Sequence, residues 1–214
     1  MENIRQLICN CFINPDYHPI LVQPFWQNNK LCATDGHVLI RIDKNLVENP
    51  EWVPQPQPKT KYPDTGSIIP EHSLDIPLTI SQIQNAIQKA KIVDEYEPCD
   101  DCHGTGMVTW EYKGLINDYT KEDKCPVCGG DGHRGKTGRR IPDPDQPYQI
   151  QGLTFKGKRL TWLLKVMEYL QIQELTINGV TDYTLLLTLP GIEILIASSV
   201  LEDVDKHKKV FKIL

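Results

Sequence analysis

Apolar residues recur at helical spacing at Ile4, Leu7, Ile8, Cys11 and Phe12, which predicts an amphipathic helix over Asn3–Phe12 that ends before Pro15. Three strand-like runs follow, Ile20–Phe25, Lys30–Thr34 and His37–Ile42, separated by the turn-forming pairs Asn28-Asn29 and Asp35-Gly36. The same order returns late in the chain. After a strand-like run at Tyr148–Phe155, the positions Leu160, Leu163, Leu164, Met167 and Leu170 mark a helix. Three strand candidates come next, Glu174–Asn178, Tyr183–Leu189 and Ile192–Ser198. Residues 3–43 and 158–198 therefore each read as a helix plus a three-stranded meander, an internal repeat that predicts an α+β fold of two pseudo-repeated halves. Each sheet would bury one face against its helix.

Two segments interrupt this pattern. Between Pro50 and Pro77 lie seven of the sixteen prolines, including Pro54, Pro56 and Pro58, which predicts an extended, irregular surface connection. Thr79-x-x-Gln82 then has the form of a capping box, and Ile80, Ile83, Ile87 and Ala90 continue as one face of a helix from Ile80 to about Lys91. An acidic patch follows at Asp94, Glu95, Glu97, Asp100 and Asp101. From Tyr96 to Asp145 the chain turns to cysteine, glycine, aspartate and proline, too poor in aliphatic side chains to build a hydrophobic core. The expected division is a discontinuous α+β domain of residues 1–95 and 146–214 with an inserted subdomain of residues 96–145.

The insert carries two copies of C-x-x-C-x-G-x-G: Cys99-Asp-Asp-Cys102-His-Gly104-Thr-Gly106 and Cys125-Pro-Val-Cys128-Gly-Gly130-Asp-Gly132. Two thiolates three residues apart supply one edge of a tetrahedron, so two such knuckles supply all four ligands of a zinc ion. The alternatives are disulfides or chance pairing; an odd total of seven cysteines without a secretory leader favours metal. Four thiolates fill the coordination shell, which makes one structural Zn²⁺ the expectation and leaves His103 and His133 no position. The glycines permit positive φ, so that amides can turn toward the sulfurs. Cys9, Cys11 and Cys32 read as small buried hydrophobes.

The charge is 23 − 28 = −5, which excludes a uniformly basic coat but not a local basic face. No apolar run reaches about 18 residues, and Met1–Ile20 lacks a basic start followed by an apolar stretch, which predicts a soluble, cytoplasmic protein outside the membrane. Phosphate-loop and dinucleotide glycine patterns are missing in their required settings, since the glycines here belong to the zinc knuckles, and no H-E-x-x-H occurs. Asp35 and His37 have no third group to orient them as an acid–base pair, so the expectation is a protein without catalysis.

The repeated cysteine motif resembles the zinc-binding region of J-protein (DnaJ) cochaperones over residues 97–135. Those proteins carry four knuckles and two zinc sites; here there are two. The resemblance implies zinc-ribbon geometry on Cys99, Cys102, Cys125 and Cys128. It does not extend to Hsp70 stimulation, because His18-Pro19 is followed by Ile20 where the J-domain signature needs aspartate.

The run Ala33-Thr34-Asp35-Gly36-His37-Val38-Leu39 resembles the Ala-Thr-Asp-Gly-His-Arg-Leu segment of bacterial sliding clamps, the processivity subunits of replicative DNA polymerase. Val38 stands where those clamps usually have arginine. The pattern Gly152-x-x-Phe155-x-x-x-x-Leu160-x-x-x-Leu164 and the strand Ile194-Leu-Ile-Ala-Ser-Ser-Val200 are similar to the second half of a clamp domain. The resemblance covers about residues 1–45 and 147–200. It implies that helices face DNA and sheets form the outside. Basic residues on the last long helix and its lead-in, Lys156, Lys158, Arg159 and Lys165, would then meet phosphates, with Lys89 and Lys91 beside the second helix. Arg134, Lys136, Arg139 and Arg140 form a second cluster, read as a glycine-spaced basic loop with no acid in residues 133–140. The candidate DNA contacts are thus Lys158, Arg159, Lys165, Arg139 and Arg140, with DNA and a replication or chaperone protein as the expected partners. The competing expectation is a zinc-stabilised protein-interaction or cochaperone-like module, on which the same lysines are merely a solvated face.

Overall fold

Ile4, Leu7 and Ile8 place one face of the first helix, α1 (Asn3–Cys11), wholly inside the core. In the computed structural model, which describes residues 3–13, 21, 23–48, 50–54, 62–114, 117–199 and 208–214, three strands come next. They are β1 (Phe25–Gln27), β2 (Lys30–Thr34) and β3 (Val38–Asp43). The strand expected at Ile20–Phe25 starts only at Phe25; Ile20 and Val22 lie outside the described residues. Asn28 and Asn29, with φ of 50° and 61°, close the β1–β2 hairpin as a turn with both central residues left-handed. The chain then forms β4 (Ile76–Thr79) and α2 (Ile80–Ile87), whose capping box is complete: Thr79 accepts from the Gln82 amide, and the Gln82 side chain accepts from the Thr79 amide.

Four strands follow in the cysteine-rich stretch, none foreseen in the sequence: β5 (Ile92–Pro98), β6 (Met107–Lys113), β7 (Asp118–Lys124) and β8 (His133–Pro142). The run read as one strand at Tyr148–Phe155 is a hairpin of β9 (Pro147–Ile150) and β10 (Leu153–Lys156). Gln151 and Gly152, with φ of 49° and 82°, make its turn. The chain ends with α3 (Gly157–Leu170), β11 (Glu174–Val180), β12 (Thr184–Leu189), β13 (Ile192–Ala197) and β14 (Phe211–Lys212).

The chain divides into two compact units, Met1–Lys91 with Asp143–Leu214, and Ile92–Pro142. The expected junctions at 95/96 and 145/146 are displaced because β5 begins at Ile92 and pairs with β8 inside the insert. In the first unit the Asp143 amide donates to the Lys91 carbonyl at 2.8 Å, which brings together the two chain ends that border the insert.

Among the described residues of the first unit, the largest sheet has seven strands in the order β1-β2-β3-β13-β12-β11-β4. The two meanders meet through the antiparallel pair β3–β13, with Ile40 opposite Ile194. Because side chains alternate across a strand, Leu31, Ala33, Ile40, Ile42, Leu185, Leu187, Ile194 and Ile196 share one core with the helix residues Leu7, Ile8, Ile83, Leu160, Leu163 and Met167. The helices also touch: Trp162 Nε1 donates to the Cys11 carbonyl at 2.7 Å, and the Trp162 ring meets Phe12 edge-on at 5.2 Å.

The sequence pattern predicts an open opposite face. Instead Phe25, Cys32, Leu39, Leu186 and Leu195 are buried there under Tyr62 and Ile69. Tyr62 stacks on Phe25 at 4.3 Å, and the buried Thr65 amide donates to Gln27 Oε1 at 2.8 Å. The last part of the proline-rich connection is therefore a cover for the sheet; residues 55–61 of it lie outside the described residues. Cys11 and Cys32 are buried as expected, whereas Cys9 is exposed on the outer side of α1.

Ile194 sits fully buried at the seam of the two meanders. Ile194→Ala should cost about 2–5 kcal/mol in denaturant unfolding, whereas Tyr183→Ala, at an exposed position, should stay within about 0.5 kcal/mol of the parent.

Candidate metal centre

The insert has almost no aliphatic interior, yet Cys99, Cys102 and Cys125 are buried and Cys128 is half-buried. Their four sulfurs all lie within 4.8 Å of one another. Cys99 Sγ is 3.9 Å from Cys125 Sγ, and Cys102 Sγ is 3.7 Å from Cys128 Sγ. A tetrahedral ion with bonds of about 2.3 Å holds its sulfurs roughly 3.8 Å apart, so the spacing fits metal ligation. It is far too long for disulfides, whose sulfurs bond at about 2.05 Å.

The motif's second half explains how the thiols are held. Gly106 donates its amide to Cys102 Sγ, and Gly132 donates its own to Cys128 Sγ, both at 3.2 Å. The knuckles also brace each other: the Cys99 amide donates to the Gly132 carbonyl (3.0 Å), and the Cys125 amide donates to the Gly106 carbonyl (2.8 Å). The glycines allow this approach. A Cβ on Gly106 would stand 2.3 Å from the Gly130 carbonyl oxygen, and one on Gly132 would stand 2.6 Å from that of Gly104. The last glycine of each motif, Gly106 and Gly132, thus packs against the other knuckle's backbone, in a reciprocal arrangement that no other residue type permits.

Amides directed at sulfur favour the thiolate. Burial opposes ionisation of Cys128, but the amides of Gly132 and Gly130, with the Cys102 and Cys125 thiols, outweigh it and hold that thiol down at about 7. At Cys125 the Cys128 amide favours the thiolate, but burial and the thiols of Cys128 and Cys99 prevail, pushing it up to about 11. Four thiols at this spacing could hold a soft cation once their protons are released.

The basic residues occupy other places. Lys158 and Lys165 are exposed on α3, while Arg159 is half-buried with its guanidinium 5.7 Å from the Trp162 ring centre. Burial lowers the Arg159 pKa, against the opposing charge of Asp35. Arg139 and Arg140 lie on strand β8, not in a loop. Opposite that strand runs the acidic patch of β5. Arg139 pairs with Glu95 at 2.7 Å, Lys136 with Asp94, and Arg134 with Asp100 at 3.0 Å and Asp101 at 3.2 Å. The Lys136 hydrogen bond and charge hold the Asp94 carboxyl below its ordinary value, and Asp94 raises Lys136 in turn. The acidic and basic runs are thus two sides of one charged ladder, which their opposite signs about forty residues apart could have signalled. Asp35 is structural, because its Oδ1 accepts from the His37 amide (2.8 Å) and the Val38 amide (2.9 Å) and so fixes the turn into β3.

No protein-family model matches the chain, and no curated protein sequence matches it. Among solved structures it is similar to the DNA polymerase sliding clamp from Bacillus subtilis, at 16% identity over 93% of this chain and 62% of that one, with a TM-score of 0.44. It is also similar to the DNA polymerase III beta subunits from Borrelia burgdorferi (12% identity, 94% and 62% covered, TM-score 0.47) and Pseudomonas aeruginosa (10%, 93% and 64%, 0.46). The chain spans less than two thirds of the length of these proteins.

Gly106→Ala should lower metal affinity by about 10–100-fold in a chelator competition, since its Cβ would clash with the Gly130 carbonyl oxygen and displace the amide that donates to Cys102 Sγ. Gly129→Ala should be far milder: its Cβ meets nothing within 4 Å, and His103 already holds the matching left-handed position in the other knuckle at φ 49°.

Proposed function

We propose that this chain is a noncatalytic, DNA-associated protein whose body follows the sliding-clamp plan and whose insert is held by one structural zinc ion on Cys99, Cys102, Cys125 and Cys128. The observation that carries the DNA reading is the architecture of the first unit. Two helix-plus-meander halves share one sheet through β3–β13, and α1 and α3 pack side by side in the core on the same side of it. Together with the Ala33–Leu39 segment, this supports a body whose helix layer meets the duplex and whose sheet faces away.

On α3, Lys158 and Lys165 are seven residues apart, so they share one face and stand exposed. They are the principal phosphate contacts of this reading, with Arg159 beside them. Arg139 and Arg140 are secondary: Arg139 would have to give up Glu95, and the Arg140 guanidinium already donates to the Ile92 carbonyl at 3.5 Å. With a net charge of −5, affinity must come from such focused positions. Phosphate contacts alone carry no sequence preference. For the zinc, four soft donors at tetrahedral spacing fill the shell and leave no open position for water or substrate, which supports a structural ion of the J-protein zinc-ribbon type.

The second reading, a zinc-stabilised protein-interaction module, is favoured by one observation: Trp110, Tyr112 and Tyr119 stand exposed on the β6–β7 hairpin. Salt dependence separates the two. Replacing Lys158 and Lys165 together by alanine should weaken duplex binding equally for unrelated sequences and reduce the slope of log affinity against log salt by up to about 0.9 per lost contact. An unchanged affinity and slope would overturn the helix-facing reading, and a parent without salt-dependent DNA binding would leave the interaction module.

A further inference from the structure

The β6–β7 hairpin is a two-stranded ribbon with exposed aromatic side chains. Its register places Trp110 opposite Lys121, Tyr112 opposite Tyr119 and Val108 opposite Asp123, so these six residues share one face. Trp110 is 54% exposed, Tyr119 60% and Tyr112 70%. Among the described residues no third strand pairs with either edge. An isolated hairpin of two strands is marginally stable in water, and an open edge beside an aromatic face is a template for another strand.

The charges narrow the occupant. On the aromatic face the only cation is Lys121, and Asp123 neutralises it at 2.7 Å. Across the hairpin Lys113, Lys121 and Lys124 stand against Glu111, Asp118, Glu122 and Asp123, so a polyanion finds no excess of positive charge. A strand that carries both signs is matched by a strand of the same kind.

We propose that this hairpin is the docking surface for a second copy of the chain, with β6 pairing antiparallel to β6 of the other copy about a two-fold axis at Trp110. The Gly114 amide donates to the Asn117 carbonyl at 3.1 Å. Bonded pairs alternate along an antiparallel ladder, so the backbone groups of Thr109 and Glu111 point away from β7 toward the open edge. A two-fold at Trp110 sets Thr109 against Glu111 of the second copy, Val108 against Tyr112 and Met107 against Lys113. No like charges oppose one another in that register, and aromatic rings of both copies join on one face of a four-stranded sheet. The other edge is less suited: β7 paired with itself about its centre puts Lys121 against Lys121. The three aromatic side chains offer roughly 300–400 Å² per chain, short of the roughly 800 Å² per partner of a stable complex, so the association is reversible and concentration-dependent.

Sedimentation equilibrium on the zinc-loaded full chain tests this. The parent should show a monomer–dimer equilibrium, Trp110→Glu should lose the dimer while retaining its metal, and Tyr183→Ser should leave the dimer intact. Mixing a Thr109→Cys chain with a Glu111→Cys chain under mild oxidation should give a 109–111 cross-link that neither variant gives alone. A parent that stays monomeric at every concentration, or a dimer that survives Trp110→Glu, overturns the proposal. A monomeric parent whose tryptophan fluorescence is quenched by oligothymidylate overturns it too, in favour of a single-stranded nucleic acid on the same face.

Discussion

The pairing of β3 with β13 is the constraint on which the first unit depends. It joins residues 38–43 to residues 192–197, about 150 positions apart, and turns two short meanders into one sheet. Each meander with its helix spans only about forty residues, a length at which a single hydrophobic core is rarely sufficient. Joined, they present a continuous inner face on which α1 and α3 settle in contact. The covering of the other face by Tyr62 and Ile69 is a consequence of the same union, because the joined strands also carry buried Cys32, Leu39, Leu186 and Leu195 on their outer side.

The second unit solves the same problem by other means. Its strands are almost wholly exposed, and its buried side chains are cysteines. A metal on these four thiolates would supply on the order of 10 kcal/mol of local folding energy, and the reciprocal contacts of Gly106 and Gly132 make the two knuckles a single piece of geometry. The charged ladder of β5 and β8 adds pairs that are exposed and screened by salt, so it sets register more than stability.

What could be read from the sequence depended on how local its cause was. The Asn28-Asn29 turn, the Thr79 cap, the periodicity of α3 and the cysteine spacing are set by neighbours within a few residues, and each stands in the structure. The hairpin at Gln151-Gly152 escapes a sequence reading because glutamine rarely adopts a left-handed conformation, so Tyr148–Phe155 looks continuous. Strand β4 escapes it because Pro77 demotes a strand, yet an edge position tolerates it. The pairing of Glu95 with Arg139 and the exposure of Cys9 and Trp110 are set by register and packing, which periodicity does not report. The basic run of residues 134–140 misleads for the same reason: its partners lie some forty residues away.

If four thiolates stand in for a core in residues 92–142, the metal they hold must be bound by sulfur alone. X-ray absorption at the zinc edge of the purified protein measures this directly. One zinc per chain with four sulfur neighbours at about 2.3 Å is the expected result; nitrogen or oxygen in the first shell, or a metal-free protein whose four cysteines are oxidised, would contradict it.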